Sequence, residues 1–322
     1  FDNPTELPVL AKCSISTDNR FFTSREASVN VPFIMRELKA KGWLSGTVGM
    51  EHWSYVPNRA ISTMLEGAFL AEGARVVDAS SILRRARLVK SPAEIRTIEK
   101  ATTFAEVGIE ALRREIRPGM TELELFGIVT AAMMKAGSEF PALIPIFNAV
   151  PVRNGRPVSS GHSMAGRKVI EAGEFLTADL CGVYNRYHSN VMRGFYLGEP
   201  TKEMLSQYEK AAGVFDLFRN DVKAGMTVRE VNALIRKYLQ DVGLADGAGW
   251  VLGYELGLSL PPDWVGNFYF HYQDEKYLDR VFEENMVTNL ESLFNTWLID
   301  TLVYERDGAR ILSNVPLEIF VV

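Results

Sequence analysis

A segment beginning at Ala105, AEVGIEALRREIRPGMTELELFGIVTAAMMKAG, returns in outline at Ala211 as AAGVFDLFRNDVKAGMTVREVNALIRKYLQDVG. At one constant offset of 106 residues, Ile116 matches Val222, Gly119-Met120-Thr121 matches Gly225-Met226-Thr227, Glu124 matches Glu230 and Gly137 matches Gly243. Each copy predicts a helix, a turn with glycine at the helix end, a Thr that caps a second helix with Glu three positions later, and a closing Gly. A register shared over 33 residues reads as an internal duplication. Strand-like sequence follows both copies: FPALIPIF, FLTADLC and YHSNVMRGFYLG after the first, GWVLGYELGLSL, NMVTNLESLFN and TWLIDTLVYE after the second. Helix pairs and antiparallel strands repeated twice predict an α+β, pseudo-symmetric domain whose two halves meet at a cleft.

Residues 1–90 read as part of a smaller α/β domain that precedes it. Helices are expected at Val31–Lys41 and Asn58–Glu72, with short strands in GTVGME and ARVVDAS. Ser91, Pro92 and Glu94 form a capping box that opens the second domain, residues 91–322, with a helix running to about Glu115. At 322 residues the chain is long enough for two cores. A net charge of -5 with no basic stripe argues against nucleic-acid and anionic-membrane partners. No apolar run reaches the roughly 18 residues of a membrane span. Cys13 and Cys181 are far apart in unlike contexts, which supports neither a disulfide framework nor a paired-thiol zinc site, and a reducing cytoplasm fits.

The chemistry concentrates between Ser159 and Arg193, SSGHSMAGRKVIEAGEFLTADLCGVYNRYHSNVMR. Phe175–Cys181 is of strand length, Gly182 can turn the chain, and Tyr184–Met192 alternates as a return strand. Asp179 then sits inside a strand with apolar neighbours, where a carboxylate costs several kcal/mol unless it is paired or hydrogen-bonded. A buried hydrogen-bond anchor and a functional group both meet that requirement. In the second half Tyr254, Glu291 and Asp300 are the polar residues set in apolar strands, and they are expected to face the same cleft as His162 and Asp179.

Several motifs together resemble the creatinase, aminopeptidase P and prolidase superfamily, whose catalytic domain is the pita-bread fold. They are KSPAEIRTIEKA, the duplicated helix pair with PGMTELEL, the hairpin DLCGVYNRYHSNVMRGFYLGEP and the closing IDTLVYERDGARILSNVP. The resemblance covers residues 91–322 and implies a homodimer. In the family's peptidases two Asp, one His and two Glu hold two metal ions. On this chain those ligands fall on Asp179, Asn190, Tyr254, Glu291 and Ile299, and a further peptidase histidine falls on Pro261. An Asn, a Tyr and an Ile cannot replace anionic or imidazole ligands, so neither a dinuclear metal site nor any other cofactor is expected.

His162 falls on a histidine that metal-independent members such as creatinase use as acid/base. RYH at Arg186–His188, GYELGLSLPPDW and the NVPLEIFV tail resemble ectoine hydrolase. The resemblance therefore implies a metal-independent hydrolase of a C–N bond in a small, cationic or zwitterionic amidine, guanidino or cyclic amide compound. In that reading His162, Asp179 and Glu291 are catalytic, and Tyr187, His188, Tyr254 and Asp300 contact the substrate. An Xaa-Pro peptidase-like metallopeptidase with a degenerate site, and a non-catalytic binding module, are the alternatives.

Overall fold

The computed structural model describes residues 24–53, 57–158, 162–245, 249–259, 264 and 266–322. Cys13, Ser159-Ser160-Gly161 and Pro261 lie outside them. The chain divides into two compact units, Phe1–Arg84 and Arg85–Val322. In the first, two parallel strands, β1 (Thr47–Met50) and β2 (Arg75–Asp78), accompany helices α1 (Ser24–Ala40), α2 (Arg59–Ala71) and α3 (Ser80–Leu88). Val31, Met35 and Leu44 form its small core, with Leu65 and Phe69 packed against them. The division falls inside α3, ahead of the boundary expected at 90/91. The reason is that Arg85 pairs with Glu283, Val89 bridges Met286 and the Lys90 N–H donates to the Asn285 carbonyl, which ties residues 85–90 to the second unit.

The second unit opens on α4 (Pro92–Glu115), whose N-terminus carries the capping box expected from Ser91 and Glu94. Helix α5 (Glu122–Ala136) repeats the device with Thr121 and Glu124, and closes on Gly137 in the left-handed conformation. In the second copy α6 (Lys202–Asp221) is followed by α7 (Val228–Asp241), capped by Thr227 and Glu230. Each helix pair covers its own core. Ile109, Leu112, Leu125 and Val129 pack on Phe147, Leu176 and Leu180. In the other half Phe215, Phe218, Val231 and Ile235 pack on Val251, Leu290 and Leu302.

The two halves share one ten-stranded sheet. Its main path runs β10 (Tyr269–His271), β9 (Trp250–Tyr254), β11 (Val287–Leu293), β12 (Leu298–Glu305), β8 (Val191–Tyr196), β5 (Glu174–Leu180), β3 (Phe147–Arg153), β4 (Arg156–Pro157). β13 (Gly308–Ile311) pairs with β12, and β14 (Phe320–Val321) lies parallel to β8. β12 and β8 meet through a single register pair, Ile299 opposite Met192. The two halves join there.

The hairpin is longer than its sequence predicts. β5 and β8 pair from Phe175–Tyr196 to Leu180–Val191, and between them a small hairpin, β6 (Val183–Tyr184) with β7 (Tyr187–His188), turns on Asn185 and Arg186. Both turn residues have positive φ, 48° and 64°, as a two-residue primed turn requires. Gly182, expected as the turn, instead lies against α4: a Cβ there would stand 1.9 Å from the Ala101 carbonyl oxygen. Among the described residues no helix is long and apolar enough to cross a membrane.

Candidate active site

Strand register builds the floor. Asp179 is opposite Met192, Met192 opposite Ile299, and Ile299 opposite Glu291. Directly paired residues point to the same face of a sheet, so the row Asp179–Met192–Ile299–Glu291 faces the cleft with a buried carboxylate at each end. Residues two positions away share the face, which brings in Asn190 on the β7–β8 side and Asn289 on β11. Leu252 is opposite Glu291, so Tyr254 also faces inward.

These side chains form one hydrogen-bonded network. Asn190 Nδ2 donates to Asp179 Oδ1. Asn289 Nδ2 donates to Asn190 Oδ1 at 3.1 Å and to Glu291 Oε1 at 2.8 Å, while its Oδ1 accepts from the Tyr254 N–H at 2.8 Å. The Tyr254 hydroxyl accepts from Trp264 Nε1 at 3.1 Å, and burial first, then the charge of nearby Glu291, push the phenol up. Burial pushes the Asp179 carboxyl up to about 7, against the Asn190 bond, which lowers it. Burial first, and then the charge of Asp179, push Glu291 up to about 8 despite Asn289 and Tyr254. The two carboxyls titrate as a pair. Near neutral pH they favour holding a proton over standing doubly charged.

Above the floor stands an aromatic wall. The Tyr254 and Trp264 rings meet edge to face at 6.4 Å, and His188 and Trp264 at 5.4 Å. His188, expected to contact substrate, is fully buried with both ring nitrogens occupied. Nε2 accepts from the Ala142 N–H at 2.9 Å, and Nδ1 lies 2.9 Å from the Arg186 carbonyl oxygen. Burial, with Arg186 nearby, lowers it to about 4, so it is a neutral brace. Tyr187 donates its hydroxyl to Glu94 Oε1 at 2.8 Å, and that bond, after burial, holds its pKa up at about 12.

Asp300 corrects a second expectation. It is paired with Leu290, so it faces the side opposite Glu291. There it forms a fully buried ion pair with Arg193 at 2.7 Å and accepts from the Ser313 hydroxyl. Arg193 also donates to the carbonyls of Met192, Ile299, Val315 and Pro316. The pair pins the closing segment across the join of the halves and is out of reach of the cleft. His162 is exposed. Its neighbour Ser163 accepts from the Phe147 N–H at 3.0 Å, and Phe147 is opposite Ala178, so the His162 backbone lies two strand spacings, about 10 Å, from the strand that carries Asp179.

The donor set was tested against a pair of metal ions. Among the described residues no group of three or more His, Cys, Asp or Glu could hold one. Carboxylate oxygens that would bind a cation accept bonds from Asn190 and Asn289, the Tyr254 hydroxyl accepts from Trp264, and Ile299 packs with Met192 and Leu293 as hydrocarbon. The residues present do not fit a dinuclear centre.

The duplicated helix pairs over one shared sheet define a pita-bread protein. The model for metallopeptidase family M24 matches residues 96–315, and the chain belongs to that family. The Xaa-Pro dipeptidase of Pyrococcus furiosus is 27% identical over 244 residues, 74% of this chain and 66% of that protein. The solved prolidase of Pyrococcus furiosus matches with a TM-score of 0.68 at 26% identity, covering 86% of this chain and 79% of that one. The ectoine hydrolase of Halomonas elongata is more distant, 24% identical over 299 residues, 88% of this chain and 72% of that protein.

These likenesses overturn the expectation of a non-peptide C–N hydrolase acting on an amidine, guanidino or cyclic amide compound. The better-matching relatives are named for Xaa-Pro dipeptides. Sequence reasoning also missed Asn289, Trp264, Lys90 and Glu255. The first two had a visible signal: Asn289 stands two residues before Glu291 on one strand, and Trp264 ends the PPDW motif.

Proposed function

We propose that this chain acts on Xaa-Pro dipeptides, receiving the peptide's cationic amino terminus on Asp179 and Glu291 without a dinuclear metal centre. The observation that carries this reading is the buried carboxylate pair at the two ends of one cleft-facing row, each carboxyl pushed up by burial. An ammonium group between them favours the ionised form of both carboxyls, so binding it offsets the cost of burying them as charges. Likeness to Xaa-Pro dipeptidases supports the peptide as the group's source.

In the cleavage reaction His162 takes a proton from the water that adds to the carbonyl carbon and returns it to the departing proline nitrogen as the C–N bond breaks. Tyr254 and Trp264 wall the peptide in. The test is release of proline from Ala-Pro and Leu-Pro, against the N-acetylated dipeptides. Cleavage of the free-amino forms with none of the acetylated ones supports the reading; equal handling of both sinks it. Tyr254 and Ile299, at positions where the family's peptidases keep ligands, favour a second reading, capture of the dipeptide without turnover. Saturable binding with no proline released would select it.

A further inference from the structure

Lys90 and Glu255 form a buried ion pair that the chemistry above does not use. Their side chains are 1% and 4% exposed, and Nζ stands 2.8 Å from Glu255 Oε1. Lys90 also donates to the Leu88 carbonyl at 3.2 Å, and Gly257 leaves room for it: a Cβ there would lie 2.9 Å from Lys90 Cε. The second oxygen of Glu255 accepts the Asn267 N–H at 2.7 Å. Gly266 lies flat against the same carboxylate, since a Cβ on it would come within 2.1 Å of Oε2. Glu255 directly follows Tyr254, while Gly266 and Asn267 belong to the segment that carries Trp264. The Trp264 carbonyl is held in turn by the Ser259 hydroxyl at 3.0 Å.

We infer that Glu255, anchored by Lys90, is a positioning residue that hooks Gly266 and Asn267 onto the end of β9 and so fixes the hydrogen bond from the Trp264 indole to the Tyr254 hydroxyl. The contacts run in one line. Lys90 orients Glu255, Glu255 holds Gly266 and Asn267 two and three residues after Trp264, and the Trp264 indole N–H fixes the Tyr254 hydroxyl. A carboxylate is suited to this because one oxygen meets the cation while the other meets the backbone. Its effect on the ligand rests on the dipeptide reading above; its effect on the loop does not.

The experiment compares K90M/E255M, which removes the ion pair and the acceptor for Asn267, with K90M/E255Q, which removes the charges and keeps an acceptor. Neither leaves an unpaired buried charge. G266A is the third variant: it leaves both charged residues in place and crowds the hook from the other side. Amide hydrogen exchange over residues 266–272 and the affinity for Leu-Pro are measured on each, with thermal midpoints as a check on folding.

Exchange is expected to speed up about 10-fold in K90M/E255M and G266A and to stay near wild type in K90M/E255Q. Affinity is expected to fall about 10- to 100-fold in K90M/E255M and G266A and to be largely kept in K90M/E255Q. If K90M/E255M does not fold, G266A carries the decision. Unchanged exchange in G266A, or faster exchange with affinity within about twofold of wild type, overturns the inference. A wild type that binds no Xaa-Pro dipeptide fails the functional reading instead, and the exchange arm still decides whether Glu255 holds the loop.

Discussion

Asp179 and Glu291 stand at the two ends of one transverse row of four paired residues, with Met192 and Ile299 between them. They come from opposite halves of the duplicated domain, so the site exists only because β8 and β12 meet. Both carboxyls are pushed up, which makes ionising them a cost to the fold. A group whose folded pKa is raised contributes stability below its unfolded pKa and loses it as pH rises through the folded value. For this pair the loss runs from about pH 4 to about pH 8. Replacing Asp179 by Asn is therefore expected to raise stability at pH 8 by on the order of 1 kcal/mol while abolishing dipeptide binding. Denaturant unfolding at pH 5 and pH 8 checks it: the gain must be larger at pH 8.

Asp300 is expected to behave as part of the scaffold. Its ion pair with Arg193 is fully buried, and Asp300→Asn leaves the guanidinium charge without its partner. The expected cost is about 3–5 kcal/mol of stability. The folded fraction of the variant should bind Leu-Pro as the wild type does. A specific loss of affinity with normal stability would return Asp300 to the cleft.

His188 sets a pH response of the fold with the opposite sign to that of the carboxyl pair. Its folded pKa is lowered to about 4, from an ordinary value of 6.5. The unfolded chain then takes up a proton that the folded chain refuses, so stability is lost as pH falls from about 6.5 towards 4. Between pH 7 and pH 5 this residue alone is expected to remove about 2 kcal/mol. Urea unfolding of wild type and His188→Gln at both pH values should show that dependence shrinking in the variant.

Metal affinity is expected to follow the donor set. After equilibration with manganese or cobalt and gel filtration, the wild type should retain well under one ion per chain. N190D/Y254H/I299E, which supplies the missing anionic and imidazole donors, should retain more. Elemental analysis of both proteins measures this directly, without any activity assay.

Local signals in the sequence were read well. Ser91, Thr121 and Thr227 cap helices where their spacing to Glu94, Glu124 and Glu230 says they should, because a capping box is written within four residues. The duplication and the family resemblance point to Asp179 and Glu291 together, and strand register puts both on one face of the sheet. The errors at Asp300 and His188 have a common cause. Which face a strand residue takes depends on register, and a slip of one residue reverses it; Glu291 opposite Ile299 sends Asp300 to the far side. His188 is buried because a small hairpin interrupts the larger one, and its turn at Asn185 and Arg186 was hidden behind the more conspicuous Gly182. The Lys90–Glu255 contact joins residues 165 positions apart and leaves no local trace.

Calorimetric titration of Ala-Pro into protein freed of metal by exhaustive chelation tests the central claim most directly, with D179N/E291Q as the control. Saturable binding of one dipeptide per chain in the wild type, and none in the double variant, is the predicted result. Binding that appears only when divalent ions are restored, or that survives unchanged in D179N/E291Q, would contradict it.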